Sequence, residues 1–366
     1  MDWRGPLLDQ AMLVASSPEG KSHAKIKSRL QRDVAECALD LGMTERALAI
    51  AAAIPDWREG EVLALAAQRM ARSGDRERAK LCIARAADIA SRSDGWRKER
   101  TQAEIGLALA LLGDVDAARR FGGQLPQELT GRVEAGLSSQ VSLEELDRQC
   151  DAYDRAIATG SFDVVRSGIE GYFAVWERVR ADPERRGRAE RAIRAALAGL
   201  PLDLQIQTRI HLADSLAATG DRTAALAELE AAEKLLSQFQ FTNDVRGAIV
   251  RNLASAWLRQ REPSRARPLI VTAVKAYKDA PTQMVDIDRA DYLRPLAEAL
   301  ANLGDPDEAR AVWTLALEAG AVNPNARPRA EDLCLTCLSM ARAGVRPSDE
   351  MNRTMQSIRS GLKAPW

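Results

Sequence analysis

A glycine-centred turn between two apolar stretches of helical period recurs along this chain, and it restricts the fold more than any other feature. It appears as "DLGMTERAL" at Gly42, "RSGDRERAK" at Gly74, "LLGDVDAAR" at Gly113 and "ATGDRTAAL" at Gly220. It returns as "LRQREPSRAR", with Arg261 in the glycine position, as "LGDPDEAR" at Gly304, and more loosely as "RAGVRPSDEM" at Gly344. Neighbouring turns lie 32, 39, 41, 43 and 40 residues apart, with one gap of 107 between Gly113 and Gly220. Recurrence at this period marks an array of helical hairpins, each burying its apolar face on the next. Glycine just past a helix takes the left-handed conformation that ends it, and a following Asp, Thr or Ser caps the next helix. Pro263 and Pro306 fall where a helix start tolerates a missing N–H.

Fixed offsets from the turn sharpen this reading. Five residues after it stands alanine: Ala47, Ala79, Ala118, Ala225, Ala266 and Ala309. Twelve after it, Ala86, Ala232, Ala273 and Ala316 recur. Seven before it the residue is always small: Ala35, Ala67, Gly106, Ala213, Ala254, Ala297 and Cys337. Four before it come Met70, Leu109, Leu216, Trp257, Leu300 and Met340, with Ala38 in the first unit, where Leu39 stands alongside. Small residues at facing positions let antiparallel helices approach closely, and the large one fills the next layer.

Composition agrees. Hydrophobic residues make up 46% and aromatics only 4%, and Ala, Leu, Arg and Glu dominate. These are strong helix formers, with little β-branched material for strands, so an all-α chain is expected. Lys+Arg and Asp+Glu are both 52, so the basic excess usual in a nucleic-acid binder is missing. Five cysteines, an odd and sparse set, argue against a disulfide framework and suit a reducing compartment. The first residues lack the pattern of a signal peptide, and no run of about 18 apolar residues exists, so a cytoplasmic location is expected.

The pattern resembles the tetratricopeptide repeat over roughly 22–125 and 204–360, although most spacings exceed that family's unit of about 34 residues. The resemblance implies an α-solenoid of antiparallel hairpins wound as a right-handed superhelix. Its expected organisation is an N-terminal cap over 1–21, about three hairpins over 22–125, divergent hairpins over 126–203, and about four hairpins over 204–362 with a C-terminal cap. In the divergent middle the offsets meet Tyr153, Val165 and Tyr172 rather than small residues. The basic run at 178–192, "RVRADPERRGRAERA", reads as a solvated helix face or hairpin turn.

No catalytic motif emerges. Phosphate-loop, dinucleotide and HExxH signatures are absent from the sequence, and no metal or cofactor is implied. Cys334 and Cys337 form one CxxC, but a structural zinc site needs two such pairs, and Cys337 occupies the small packing position. His211 stands on the first helix of its hairpin without a recognisable nucleophile or orienting partner motif. Residues 35–54 also read as a helix-turn-helix behind the basic patch Lys21, Lys25, Lys27, Arg29 and Arg32, but the second helix is nearly all small and apolar. Trp257 and Trp313 fall on apolar faces and are expected in the core, whereas Trp57 and Trp96 lie near hairpin connections. Trp3, Trp176 and Trp366 share no common position with them.

By the resemblance, the first helices of the hairpins line a concave groove. Groove positions lie about 13, 10, 9 and 6 residues before each turn. They are Arg29, Arg32, Asp33 and Glu36; Glu61 and Gln68; Arg100 and Glu104; Gln207, His211 and Asp214; Arg251, Asn252 and Ser255; and Asp291, Arg294 and Glu298. This mixed lining suits a protein or peptide partner of both charge signs, and makes the chain a non-catalytic scaffold or adaptor. The alternatives are a peptide-sensing or DNA-binding regulator using 21–54, or an enzyme whose residues converge in the fold. Pro268 and Pro295 are expected to interrupt helices and kink them.

Overall fold

A computed structural model describes residues 2–18, 23–137, 142–158, 160–239 and 243–362. Among the described residues the chain is built of α-helices joined by short turns, with no strand. The helices are α1 Arg4–Ala15, α2 Ala24–Asp40, α3 Thr44–Ala51, α4 Arg58–Ser73, α5 Arg76–Ser91, α6 Trp96–Leu111 and α7 Val115–Gly122. They continue as α8 Gln127–Leu137, α9 Leu143–Ala158, α10 Phe162–Arg178, α11 Pro183–Ala196, α12 Leu202–Ala218 and α13 Arg222–Gln238. The last six are α14 Asn243–Arg259, α15 Pro263–Asp279, α16 Asp286–Asn302, α17 Pro306–Ala321, α18 Ala326–Ala343 and α19 Asp349–Ser360. Helices α15 and α16 run on through Pro268 and Pro295 without a break in either.

The recurring turns share one backbone geometry. Gly42, Gly74, Gly113, Gly220, Gly304 and Gly344 all have positive φ, and so does Arg261, at 61°. In six turns the N–H after the turn residue bonds the carbonyl of the large apolar residue four before it. The pairs are Asp75 to Met70 at 2.9 Å, Asp114 to Leu109 at 3.0 Å, Asp221 to Leu216 at 3.0 Å, Glu262 to Trp257 at 2.9 Å, Asp305 to Leu300 at 3.1 Å and Val345 to Met340 at 3.2 Å. The residue that fills the core layer therefore also supplies the carbonyl that closes the turn. Asp75, Asp114 and Asp221 cap the following helix through their side chains. Asp305 does not cap; its carboxylate is taken by Arg267 from the preceding hairpin.

The offset positions are the core. Every alanine named for the five-residue offset is fully buried, and the large residues four before the turn are buried with them. At Gly106, the glycine among the small-residue positions, a Cβ would lie 2.8 Å from Val133. Trp257 and Trp313 are buried, as their apolar faces required, and the Trp313 indole N–H donates to Ser339 Oγ at 2.9 Å.

The chain divides into two compact units. One comprises Gly42–Gln205. In it the first helices of successive hairpins pack side by side, α4 on α6, α6 on α8 and α8 on α10, with α5, α7 and α11 against them. The middle of the chain packs tightly by a different size exchange. Tyr153 and Tyr172 are buried edge to face with centroids 5.5 Å apart, and Gly171 makes room, since a Cβ there would strike the Tyr153 ring. The basic run spans the end of α10, the following turn and most of α11. Arg185 binds Asp147 through two bonds of 2.9 and 2.8 Å, and Arg188 binds Asp151 at 2.7 Å, so an acidic row on α9 pairs with two of its arginines.

The other unit joins Met1–Leu41 to Ile206–Trp366. Here α14 packs on α16 and α16 on α18, and α18 then receives α1 and α2 from the other end of the chain. Leu7, Leu8, Ala11, Val14 and Ala15 form the buried face of α1. The Cys37 thiol lies 3.8 Å from the Leu338 carbonyl, Arg359 donates to Gln10 at 3.1 Å, and the Arg346 guanidinium covers Trp3 at 4.9 Å. The first helices thus cap the last ones, covering the apolar end that a helical repeat array otherwise exposes. No helix among the described residues is long and apolar enough to cross a membrane.

Candidate functional site

The residues expected to line a groove are tied to one another. Most of their side chains reach from the first helix of one hairpin to the first helix of the next. Asp214 on α12 accepts two bonds from Arg259 on α14, at 2.9 and 2.7 Å. Arg251 on α14 binds Glu298 on α16 at 3.0 Å and leans on Asn252 beside it. Arg294 on α16 meets Asp332 on α18 at 3.2 Å, and Glu331 on α18 meets Arg29 on α2 at 2.8 Å. Arg32 pairs with Asp33 and Glu36 along α2. In the unit of residues 42–205, Gln68 donates to the Glu104 carboxylate at 2.8 Å, and Arg100 binds Glu61.

These rungs sort the candidates by what they can still do. Gln68, Glu61, Glu104 and Arg294 are buried, and their hydrogen bonds are spent on neighbouring helices. Asn252 and Ser255 are half-buried. Gln207, His211, Asp291 and Arg100 face solvent. Charge-assisted bonds between adjacent helices fix the spacing of the row; Arg100 takes part in them and Asp291 pairs with Arg294 along α16, each keeping exposed surface.

One rung is electrostatically unlike the rest. Arg294 and Asp332 are both nearly inaccessible, with side-chain exposures of 7% and 8%. Burial pushes the Asp332 carboxyl up to about 6, against the opposing pull of the Arg294 charge and a 3.0 Å bond from Asn323. Burial likewise holds Arg294 below its ordinary value. Desolvation outweighs attraction for both partners, as for an ion pair taken out of water. Asp291 flanks Arg294 from the solvent side.

Beside this pair lies a cleft of about 400 Å³. It is lined by His23 ahead of α2, by Ile287 and Asp291 on α16, by Asn325 at the start of α18, and by Arg327, Pro328, Glu331, Asp332 and Leu335 on α18. The groove positions alone could have located it. Asp291 stands thirteen residues before Gly304 and Glu331 thirteen before Gly344, so the same position in consecutive hairpins forms its two walls. Asp332, which lines the cleft, falls at none of the groove offsets. A second hollow of about 440 Å³ runs between α15 and α17, walled by Val271, Val274, Leu300, Ala311 and Val312.

The remaining chemistry-bearing residues take packing roles. Cys334 and Cys337 are buried; burial pushes the Cys337 thiol up to about 12 and Cys334 well above its ordinary value, and Cys337 lies 3.7 Å from the Met355 sulfur. Among the described residues no three His, Cys, Asp or Glu are grouped to hold a metal ion. The segment read as a helix-turn-helix is α2 and the eight-residue α3, whose Ala47, Ile50 and Ala51 are buried. Lys21 and Trp366 lie outside the described residues. Trp57 is buried under Arg58, and Trp96, 54% exposed, meets its edge at 5.2 Å.

No protein-family model matches this chain, and no curated protein matches it either. One solved structure, described as a circular tandem repeat protein with novel repeat topology and enhanced subunit contact surfaces, aligns over 98% of this chain and 94% of its own. The identity is 16% and the TM-score 0.30, a likeness too slight to bear on function.

Proposed function

We propose that this chain is a non-catalytic, tetratricopeptide-like interaction protein of the cytoplasm that binds a peptide segment of another protein on the first-helix face of its repeats. One observation carries the reading. In the unit containing residues 206–366, the face that repeat packing presents is stiffened by lateral ion pairs, yet it opens at Asp291 and Glu331 into a cleft of about 400 Å³. Clefts of this size with apolar walls and a few polar groups are where extended ligands seat. The exposed Gln207 and His211 on α12 add polar positions on the same kind of helix face. Helical repeat arrays offer such surfaces generally, and the sparse, unpaired cysteines suit a reducing compartment.

The test is quantitative affinity capture from the source cells with the wild-type chain and a His211→Glu/Asp291→Lys variant. Both positions are exposed, and because Asp291 also pairs with buried Arg294, a matching thermal unfolding profile of the variant is established before capture. Selective loss of the captured proteins supports the reading; an unchanged set overturns the surface. Arg294 is unsuitable for charge reversal, because a buried glutamate beside Asp332 would unfold the site rather than probe it.

A further inference from the structure

We propose that the cleft between α16 and α18 takes an extended peptide in which an aliphatic residue stands beside a lysine or arginine. This rests on reading that face as peptide-binding and goes further by assigning the peptide's chemistry.

The aliphatic requirement follows from the walls. Ile287, Pro328 and Leu335 border the cleft, and Ile287 is 56% exposed although large and β-branched. Val285, just ahead of α16, is 63% exposed. An exposed Ile287 bordering a hollow with Pro328 and Leu335 forms an apolar patch that a partner's aliphatic side chain would cover.

The basic requirement follows from charge. The lining carries three carboxylates, Asp291, Glu331 and Asp332, and one guanidinium, Arg327. Asp286 and Asp288 flank Ile287 in the first turn of α16, with Asp286 paired to Arg289 at 2.8 Å. Nearby Arg294 is buried and fully engaged by Asp291 and Asp332, so it offers nothing to an incoming anion. Glu331 is held by Arg29 and Arg327, whose side chains are 39% and 51% exposed. Ion pairs this exposed are weak and exchangeable, so a ligand ammonium or guanidinium can displace one of them without stranding a buried charge. An acidic ligand would meet the carboxylates of Asp291 and Glu331, with the exposed arginines already occupied by Glu331.

A phage-displayed nonapeptide library selected on the full-length protein tests this, followed by polarisation measurements on the enriched sequence made as a labelled peptide. Enrichment of Lys or Arg next to Ile, Leu or Val is expected. Glu331→Gln, Asp291→Asn and Ile287→Ser should each weaken the peptide about threefold to tenfold, with unchanged thermal unfolding. Val271→Ser, in the α15–α17 hollow, should leave binding unchanged. Enrichment of acidic peptides, or of basic peptides indifferent to Glu331, Asp291 and Ile287, overturns the proposal; so does no enrichment at all. The broader reading is decided separately by the capture experiment, because loss of captured proteins in the His211→Glu/Asp291→Lys variant would stand even if the partner's binding segment proved acidic.

Discussion

Arg261 occupies a position that glycine fills in the six other turns, and the structure assigns that exchange a cost. Its φ is 61°, within the left-handed region that a side-chain-bearing residue enters at about 1–2 kcal/mol. The turn is otherwise closed normally, with Glu262 N–H on the Trp257 carbonyl at 2.9 Å, and the Arg261 side chain is exposed. Arg261→Gly removes the strain but returns about 0.5–1 kcal/mol of chain entropy to the unfolded state. The net is a stabilisation of about 0.5–1 kcal/mol, or a rise in Tm of about 2 °C for a unit of roughly 200 residues. Gly304→Ala is the matched control. No atom lies within 4 Å of the Cβ it would introduce, so its loss of about 1 kcal/mol is purely conformational. Both shifts are measurable by differential scanning calorimetry and by urea titration followed by circular dichroism. A fall in Tm for Arg261→Gly would refute the reasoning, because the exposed guanidinium would then be contributing more than its backbone costs.

Further outcomes follow from close approaches and buried groups. Gly247→Ala would place its Cβ 2.5 Å from the Tyr292 carbonyl oxygen, a backbone atom that cannot rotate away, and should cost about 2–3 kcal/mol in urea unfolding. Asp332 binds its proton more tightly folded than unfolded, so its contribution is greatest below pH of about 4 and is lost as pH rises through about 6. Asp332→Asn should therefore flatten that part of the stability–pH profile, and an unchanged slope would rule out this group as its source. With a chromogenic disulfide reagent at pH 8, half-exposed Cys82 should react first, while buried Cys37, Cys150, Cys334 and Cys337 wait for unfolding. Leu8→Glu, on the buried face of α1, should expose Cys37 to the same reagent under native conditions, because α1 and α2 cap α18 together.

The turns and the small-residue positions were legible because both are imposed locally. A left-handed turn residue, the carbonyl four positions before it and an alanine five after it form one geometric unit, which repeats wherever the hairpin repeats. The middle of the chain was illegible for an equally local reason. Tyr153 and Tyr172 stand where the offsets call for small residues, and the compensating space comes from Gly171, at no fixed offset from a turn. Caps were only partly legible: Asp75, Asp114 and Asp221 behave as expected, but Asp305 is claimed by Arg267 across hairpins, which no single-hairpin pattern encodes. The docking of α1 and α2 on α18 joins residues some 300 positions apart, and Arg29 and Glu331 carry no sequence sign of each other. The candidate site was half visible through the thirteen-residue offset. Arg294 was among the offset positions, but its buried partner Asp332, which lines the cleft, was not.

The central claim is that a partner binds on the first-helix face rather than on the outer helices. Site-specific photo-crosslinking decides it, with benzoylphenylalanine placed in the cleft at Ile287 or Leu335, or on outer helices at Leu81 or Val271, which are 71% and 46% exposed. Crosslinking in cells followed by mass spectrometry should yield one partner segment from the two cleft positions and none from Leu81 or Val271. Adducts from Leu81 or Val271 alone, with the cleft positions silent, would contradict the account.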